Sequence, residues 1–311
     1  MPILRFCADE DGLHLHNSPT AALPALHTAA RGTGPIIIMV HGYKYDPTNK
    51  LYDPHSSIFA LKPRAKCGNG ALWPQALGFG VGGQTEGLAI AFGWKARGNI
   101  WQAQQMARIA GQRLGRIIRV LNNITPHRPI NIISHSMGSE VAFEALKHVP
   151  EHNVARLVTL TGASYVGKAM DAMRSPAGLT TELFNVTSRE NDLFDFAFER
   201  LIPPSSASDR VLGLGVALPN AVNVQLDCDQ TLSALAKFGA KISTSKHRVS
   251  HWSGYTRPGA MQFFARVMRC PGATPLHAMK ALLPPNNAPR WSRFVSCRPQ
   301  DLSCQPEPTL F

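Results

Sequence analysis

The sequence predicts an α/β fold: one domain with a mostly parallel central sheet flanked by helices, opened by short antiparallel strands at the N-terminus. Three observations carry that prediction. PIIIMV at 35–40 is a continuous β-branched and apolar run without polar alternation, the pattern of a strand covered on both faces. Strand-like runs then alternate with segments of helical period along most of the chain, which is how a parallel sheet is wound. Finally, 311 residues at 44% hydrophobic are enough to bury one sizeable core.

Taken in order, RFCA and LHLH read as two short strands separated by Glu10, Asp11 and Gly12, a hairpin-like start. Residues 18–34, rich in Ala, Pro, Thr and Gly, read as a loop or short helix. The strand at 35–40 ends in His41, Gly42 and Tyr43. Gly42 allows a sharp turn there, which could aim nearby N–H groups at a reacting oxygen; an ordinary strand-end turn is the plainer reading. Residues 44–85 carry Pro47, Pro54, Pro63, Pro74 and the run GFGVGG with little periodicity, too long for a simple connection, and are expected to shape a pocket mouth. That glycine run follows no strand and lacks the spacing of a dinucleotide fingerprint. GLAIAFGW at 87–94 is the next strand. From about Trp101 to Leu121 a helix carries Ala110, Leu114, Ile117, Ile118 and Leu121 as an apolar stripe opposite a solvated face with Arg108, Arg116 and Arg119.

The stretch RPINIISHSMGSEVAFEALKHV at 128–149 organises the rest. Ile130, Ile132 and Ile133 form a β-branched run, whereas Val141, Ala142, Ala145, Leu146 and Val149 recur at three- and four-residue spacing, so the period changes from strand to helix across Ser136. Ser134, His135, Ser136, Met137 and Gly138 fit the nucleophile-elbow form G-x-S-x-G with serine in place of the first glycine; small neighbours are needed because the elbow residue is backbone-strained. The helix start beside Ser136 favours negative charge developing there. An N-capping serine is the plainer alternative.

Beyond the elbow, RLVTLTGA at 156–163 reads as a strand and LFNVTSREND at 183–192 as another, with Asp192 at its end. VNVQLD at 222–227 is a further strand and QTLSALAKFG a short helix. HRVSHWSGYTRPGAMQFFARVM at 247–268 runs from a His-rich loop into a helix. The domain is expected to span 1–283, with residues 284–311 a Pro-rich tail wrapping the surface.

Composition excludes several classes of function. The net charge of +12 invites an acidic partner, yet apart from KPRAK at 62–66 and KISTSKHR at 241–248 the basic residues are dispersed with no aromatic interleaving, so nucleic-acid binding is not expected. The six cysteines, Cys7, Cys67, Cys228, Cys270, Cys297 and Cys304, form no C-x-x-C pair, which argues against a zinc or thioredoxin-like site; no metal or organic cofactor is expected. No apolar stretch reaches membrane-spanning length and the first residues carry acids, so the expected location is cytoplasmic.

The order His-Gly after an early strand, serine at an elbow, acid after a later strand and histidine near the end resembles the α/β-hydrolase superfamily over roughly residues 35–268, and within it bacterial serine hydrolases and lipase-like esterases. That resemblance implies Ser136 as nucleophile, Asp192 as acid and His251 as base, with an oxyanion hole from the N–H groups of Met137 and of Tyr43 or its neighbour, supported by His41, Gly42 and Gly138. It implies an ester or thioester substrate of small size, cleaved through an acyl-enzyme. Acyl transfer by the same residues, or a non-catalytic binding protein that kept the fold, are the alternatives. Asp192 is preferred over Asp195 and Asn191 because it comes first after its strand. His251 is preferred over His247 because Lys246 and Arg248 flank the latter and would oppose an imidazolium. His135 is expected to order the elbow, and His14, His16, His27, His148 and His152 show no partners in sequence. Phe59, Leu61, Trp73, Phe79, Phe194, Phe196, Phe198 and Trp252 are candidates for an acyl pocket or for the core.

Overall fold

A computed structural model describes residues 3–62, 72–83, 85–285 and 287–294. Eight strands form one sheet: β1 (Ile3–Ala8), β2 (Leu13–Leu15), β3 (Ile36–Val40), β4 (Leu88–Trp94), β5 (Ile130–His135), β6 (Arg156–Leu160), β7 (Glu182–Thr187) and β8 (Ala221–Gln225), in the order β2-β1-β4-β3-β5-β6-β7-β8. All neighbours are parallel except β1 and β2, the antiparallel pair at the edge. The carboxyl ends of β3, β5, β6 and β7 therefore open on one rim, with β5 near the middle. Ligands of open α/β sheets bind at such a rim.

The helices are α1 (Ala22–Ala29), α2 (Trp73–Ala76), α3 (Ile100–Ile124), α4 (Gly138–Leu146), α5 (Val166–Met173), α6 (Pro176–Thr180), α7 (Asp192–Leu201), α8 (Asp229–Ala236), α9 (Ser253–Thr256), α10 (Ala260–Arg269) and α11 (Leu276–Leu282). They cover both faces. Ile36, Ile38 and Val40 of β3 point into a core with the apolar sides of α1, α3, α4 and α5. Ile37 and Met39 point the other way, into a second core built with α8, α10 and α11. Burial on both faces is why this strand needs apolar residues at successive positions, each worth about 1.5–3 kcal/mol when fully enclosed.

α3 is longer at both ends than its apolar stripe indicates. Asn99 and Gln102 form a reciprocal capping box that starts the helix, and no glycine or proline stops it before Thr125. Arg113 on this helix donates to the carbonyls of Gly12 and Glu10, tying the β1–β2 turn to the sheet's flank.

Within residues 44–85, the described parts contain a 3-10 turn at Pro54–Ser56 and α2. Phe59, Trp73 and Phe79 are fully buried in the second core. They are packing residues, as is Phe198 in the first core, and leave Leu61, Phe194, Phe196 and Trp252 as the apolar candidates with exposure. No helix among the described residues is long and apolar enough to cross a membrane. KPRAK lies largely outside the described residues, as do Cys67, Cys297 and Cys304.

Candidate active site

The chain after β5 turns at a residue that no ordinary strand or helix would hold. Ser136 has φ of 52°, in the left-handed region that costs a non-glycine residue about 1–2 kcal/mol, and α4 begins two residues later. Its N–H donates to the Leu160 carbonyl at 3.0 Å, which ties the bend to the end of β6. Space around the bend explains the small residues. A Cβ on Gly138 would stand 2.5 Å from the His41 carbonyl oxygen, and one on Gly42 would stand 2.7 Å from the Ser136 Cβ. α4 can approach β3, and the loop after β3 can approach Ser136, only because both positions lack side chains. Ser134 fits in the glycine position of the elbow, its hydroxyl 3.3 Å from that of Ser139 and 3.4 Å from the Val158 carbonyl it faces.

His41 shapes the loop after β3. Its Nε2 accepts from the Trp94 N–H at 3.0 Å, so Nδ1 carries the proton and donates to the Gly42 carbonyl at 2.9 Å. The ring stacks on Trp94 at 5.6 Å and 6°. Complete burial pushes its pKa down to about 4, and it stays neutral. Since the Gly42 carbonyl is held toward this ring, the Tyr43 N–H on the opposite side of the same trans peptide is directed away from it.

His251 sits on the loop before α9 and is anchored through its backbone. Its carbonyl accepts from His135 Nε2 at 2.9 Å and from the Thr161 hydroxyl at 3.1 Å, and the His135 and His251 rings stand 4.7 Å apart. His135, immediately before Ser136, thus joins the elbow to the histidine loop. As with His41, burial drives its pKa down to about 4. Phe194 stacks on the His251 ring at 4.6 Å and 25°, with Trp252 beside it, half exposed. His247 is exposed on the same loop.

The group that meets His251 is not the acid expected from the sequence. His251 Nδ1 lies 2.7 Å from Asn191 Oδ1, and Asn191 Nδ2 donates to Asp195 Oδ1 at 2.9 Å. Asp192 points elsewhere: one carboxylate oxygen is 3.0 Å from Arg189 Nη1 and the other accepts the Trp291 N–H at 2.6 Å. The reason is local. β7 stops at Thr187, Ser188 caps a 3-10 turn over Arg189–Asn191, and α7 starts at Asp192. The helical twist then puts Asn191 and Asp195, four apart, on one side and Asp192 on another. Arg189, fully buried, balances the two carboxylates behind the site.

The remaining polar residues of this turn fix it in place. Glu190 pairs with Arg257 at 2.6 Å and bonds Ser245, while its carbonyl receives the Ser250 N–H. Burial dominates the electrostatics of the row. Asp195 is pushed up to about 7, with Arg189 and Arg290 opposing, and His251 is held well below the usual histidine range by burial and by nearby His135. The residues that sequence reasoning underrated are Asn191, Asp195 and Thr161; for the first two the signal is their four-residue spacing, which becomes meaningful once the strand is known to end at Thr187, and Thr161, just after β6, has no local signal.

Residues 20–171 match the family described as alpha/beta hydrolase of unknown function (DUF900). The match covers β3, the loop after it, the elbow and α4. No curated protein matches the chain. The match supports a hydrolase-type function, and together with the eight-stranded, mostly parallel sheet flanked by helices it supports the α/β-hydrolase superfamily for this chain.

Proposed function

We propose that the protein is a serine hydrolase that cleaves an ester or thioester through an acyl-enzyme, with Ser136 as nucleophile, His251 as general base and Asn191 as the group that orients His251. The observation that carries this reading is the left-handed backbone of Ser136 between β5 and α4. A strained serine at a strand-to-helix turn has its hydroxyl lifted above the sheet rim, where a substrate carbonyl can reach it.

His251 takes the hydroxyl proton on Nε2 as Ser136 attacks, and Asn191 holds the ring with Nδ1 protonated. The N–H groups of Met137, at the start of α4, and of Tyr43, set by the His41 clamp on Gly42, are assigned to the oxyanion. Each such donor is worth about 3–4 kcal/mol of transition-state stabilisation. The imidazolium then protonates the departing alcohol or thiol, and water attacks the acyl-enzyme with the same base. Asn191 gives orientation without a full charge beside the ring. The Asp192 carboxylate, held by Arg189 and the Trp291 N–H, has a structural task in this reading. Phe194 and Trp252 offer an apolar wall for the acyl group or leaving group.

A fluorophosphonate probe on the full-length protein, read by intact mass and peptide mapping, tests the assignment. One adduct on Ser136, together with turnover of a p-nitrophenyl ester series of graded chain length, is the expected result. An unlabelled, folded protein would point to the non-catalytic alternative, and labelling with turnover only when an alcohol or thiol acceptor is added would point to acyl transfer.

A further inference from the structure

Away from the elbow, at the sheet edge, three side chains converge from positions that sequence spacing does not connect. Cys7 lies on β1, His16 follows β2, and His55 sits in the 3-10 turn at Pro54–Ser56. Cys7 Sγ is 3.4 Å from His16 Nδ1 and 3.8 Å from His55 Nε2, and the three ligand atoms all lie within 4.8 Å of one another. A tetrahedral zinc ion with bonds of about 2.3 Å to sulfur and 2.0–2.1 Å to nitrogen holds such S and N atoms about 3.6 Å apart. The two sulfur-to-nitrogen separations bracket that spacing. We propose that Cys7, His16 and His55 form a binding site for a thiophilic divalent cation, Zn2+ foremost, with solvent as the remaining ligand.

The surroundings fit a cation held by neutral imidazoles and a thiolate. Asp53 Oδ2 stands 3.5 Å from His16 Nε2, the position of a carboxylate that orients a ligating histidine. Asn17, 2.8 Å from the same nitrogen, can accept its proton once the amide is turned by 180°. Asp53 also receives the His55 N–H at 2.9 Å and so places both histidines. Gly93 lets the His55 ring lie on β4, since a Cβ there would stand 2.6 Å from Nε2. Cys7 and His55 are buried, whereas the His16 side chain keeps about 12% of its surface exposed and gives the ion a way in.

Charge points the same way. Burial pushes the Cys7 thiol up to about 12, and Asp53, Asp9 and Asp46 act on it in the same direction. Two cations face these carboxylates: Arg5, two residues before Cys7 on β1, acts on Asp53, and exposed Lys95 acts on Asp46 and Asp9 while pairing with Glu10. A bound divalent cation reverses the balance by stabilising the thiolate outright. Without metal, His55 Nε2 donates to the Phe6 carbonyl at 3.0 Å, leaving buried Nδ1 with no hydrogen-bond partner. Metal binding requires Nε2 to give up that bond and the proton to move to Nδ1. Thiol and imidazole release protons to solvent as needed and no redox partner is involved.

The site would fasten the chain near Pro54 to the edge hairpin. His55 contacts Phe59 at 5.9 Å and Phe59 contacts His41 at 6.0 Å, so the clamp lies two rings from the loop after β3.

Untagged full-length protein, purified without chelator, is expected to carry about one zinc per chain by elemental analysis. Replacement by Co2+ is expected to give a thiolate-to-cobalt charge-transfer band. Cys7→Ser should remove the band, and His16→Ala, at the exposed ligand, should weaken zinc at least tenfold in competition with a chromophoric chelator. Chelation should lower Tm of the natural protein and leave that of Cys7→Ser unchanged. Ser136→Ala should keep the metal, which separates this site from the proposed catalysis. The proposal is overturned if the natural protein, dialysed against zinc or Co2+, holds no more metal than a folded Cys7→Ser or His16→Ala variant. A cobalt adduct whose band survives Cys7→Ser overturns it as well.

Discussion

The elbow at residues 134–138 and the turn at 188–195 both follow parallel strands on the same rim, yet they are built on opposite principles. The elbow is a backbone device: Ser136 at φ of 52°, small residues on either side, and N–H groups at the start of α4. The turn is a side-chain device. Arg189, Glu190, Asn191, Asp192 and Asp195 are all buried: Arg189 pairs with Asp192, Asn191 bonds Asp195, and Glu190 is held by Arg257. Steric rules for the first are strict and short-range, so its sequence spells it out. A buried polar network can be wired in several ways by the same residue types, and only the exact end of a strand decides which.

Deleting the backbone device's one reactive atom is the harshest way to probe the contrast. Ser136→Ala is expected to abolish probe labelling and to reduce kcat by about 10⁴-fold or more, leaving only what the oxyanion donors provide. Its stability should match or exceed that of the natural protein where alanine tolerates the bend, and thermal melting checks this. Labelling retained at another residue would break the assignment of the elbow. His251→Ala should fall nearly as far, whereas His247→Ala, changed at an exposed position, should keep near-natural turnover. The reverse result would move the base to His247.

A smaller and more discriminating effect is expected at the turn. Asn191→Ala removes the hydrogen-bond partner of His251 Nδ1 and should lower kcat by about 10²-fold, short of the roughly 10⁴-fold seen when a triad aspartate is replaced. Asp192→Asn should instead leave kcat of the folded enzyme within about threefold while costing about 3 kcal/mol, because Arg189 loses a buried counter-charge. Paired kinetics and urea unfolding separate the two. If Asp192→Asn were inactive but fully stable, the carboxylate would be the orienting group in solution and the wiring drawn from the turn would be wrong.

How much of this was legible in the sequence follows from the same contrast. The order of strands and helices and the elbow could be read because alternating periods and strained turns leave local marks, as in the change of period across Ser136. Reading Asp192 as the acid rests on LFNVTSREND extending as a strand to that residue. The strand in fact ends five residues earlier, the chain winds into a 3-10 turn, and each later side chain is rotated to a new direction. The contact of Trp291 with Asp192 spans 99 residues and has no local mark at all. Nor could spacing join Cys7, His16 and His55, which meet only because β1 pairs with β2 and the chain after β3 folds back over that edge.

The pH dependence sharpens the comparison further. With Asn191 rather than a carboxylate on Nδ1, and with burial opposing the imidazolium, kcat/KM should rise with pH through a free-enzyme pKa below the ordinary value of about 6.5. Exchanging the two polar groups, Asn191→Asp together with Asp195→Asn, sets an anion directly against the ring. An anion there favours imidazolium, so the acidic limb should move to higher pH by about 1–3 units. An unmoved limb would mean that His251 does not set it.

The smallest effect is expected from Asp195→Asn alone. Asp195 acts on His251 only through the Asn191 amide, and burial has moved its folded pKa up to about 7 from an ordinary 3.8. As pH rises past about 7 the carboxyl ionises, draws the Asn191 Nδ2–H more strongly, and makes Oδ1 a better acceptor for His251. Natural enzyme should therefore show a second, shallow rise in kcat/KM near pH 7, less than about tenfold because Arg189 offsets the new charge. Asparagine at 195 keeps the shape and a carbonyl acceptor but cannot ionise, so the variant should lose that second step and retain the first. Stability gives an independent reading with a definite sign. Between pH 3.8 and about 7 the folded chain holds a proton that the unfolded chain has released. This group's contribution to stability is thus fully present below the unfolded pKa and is lost as pH rises through the folded one. The natural protein should lose Tm across that window relative to Asp195→Asn. Parallel melting curves for the two proteins from pH 4 to 8, or a second kinetic step that survives the substitution, would detach Asp195 from the histidine and leave Asn191 as the end of the chain of contacts.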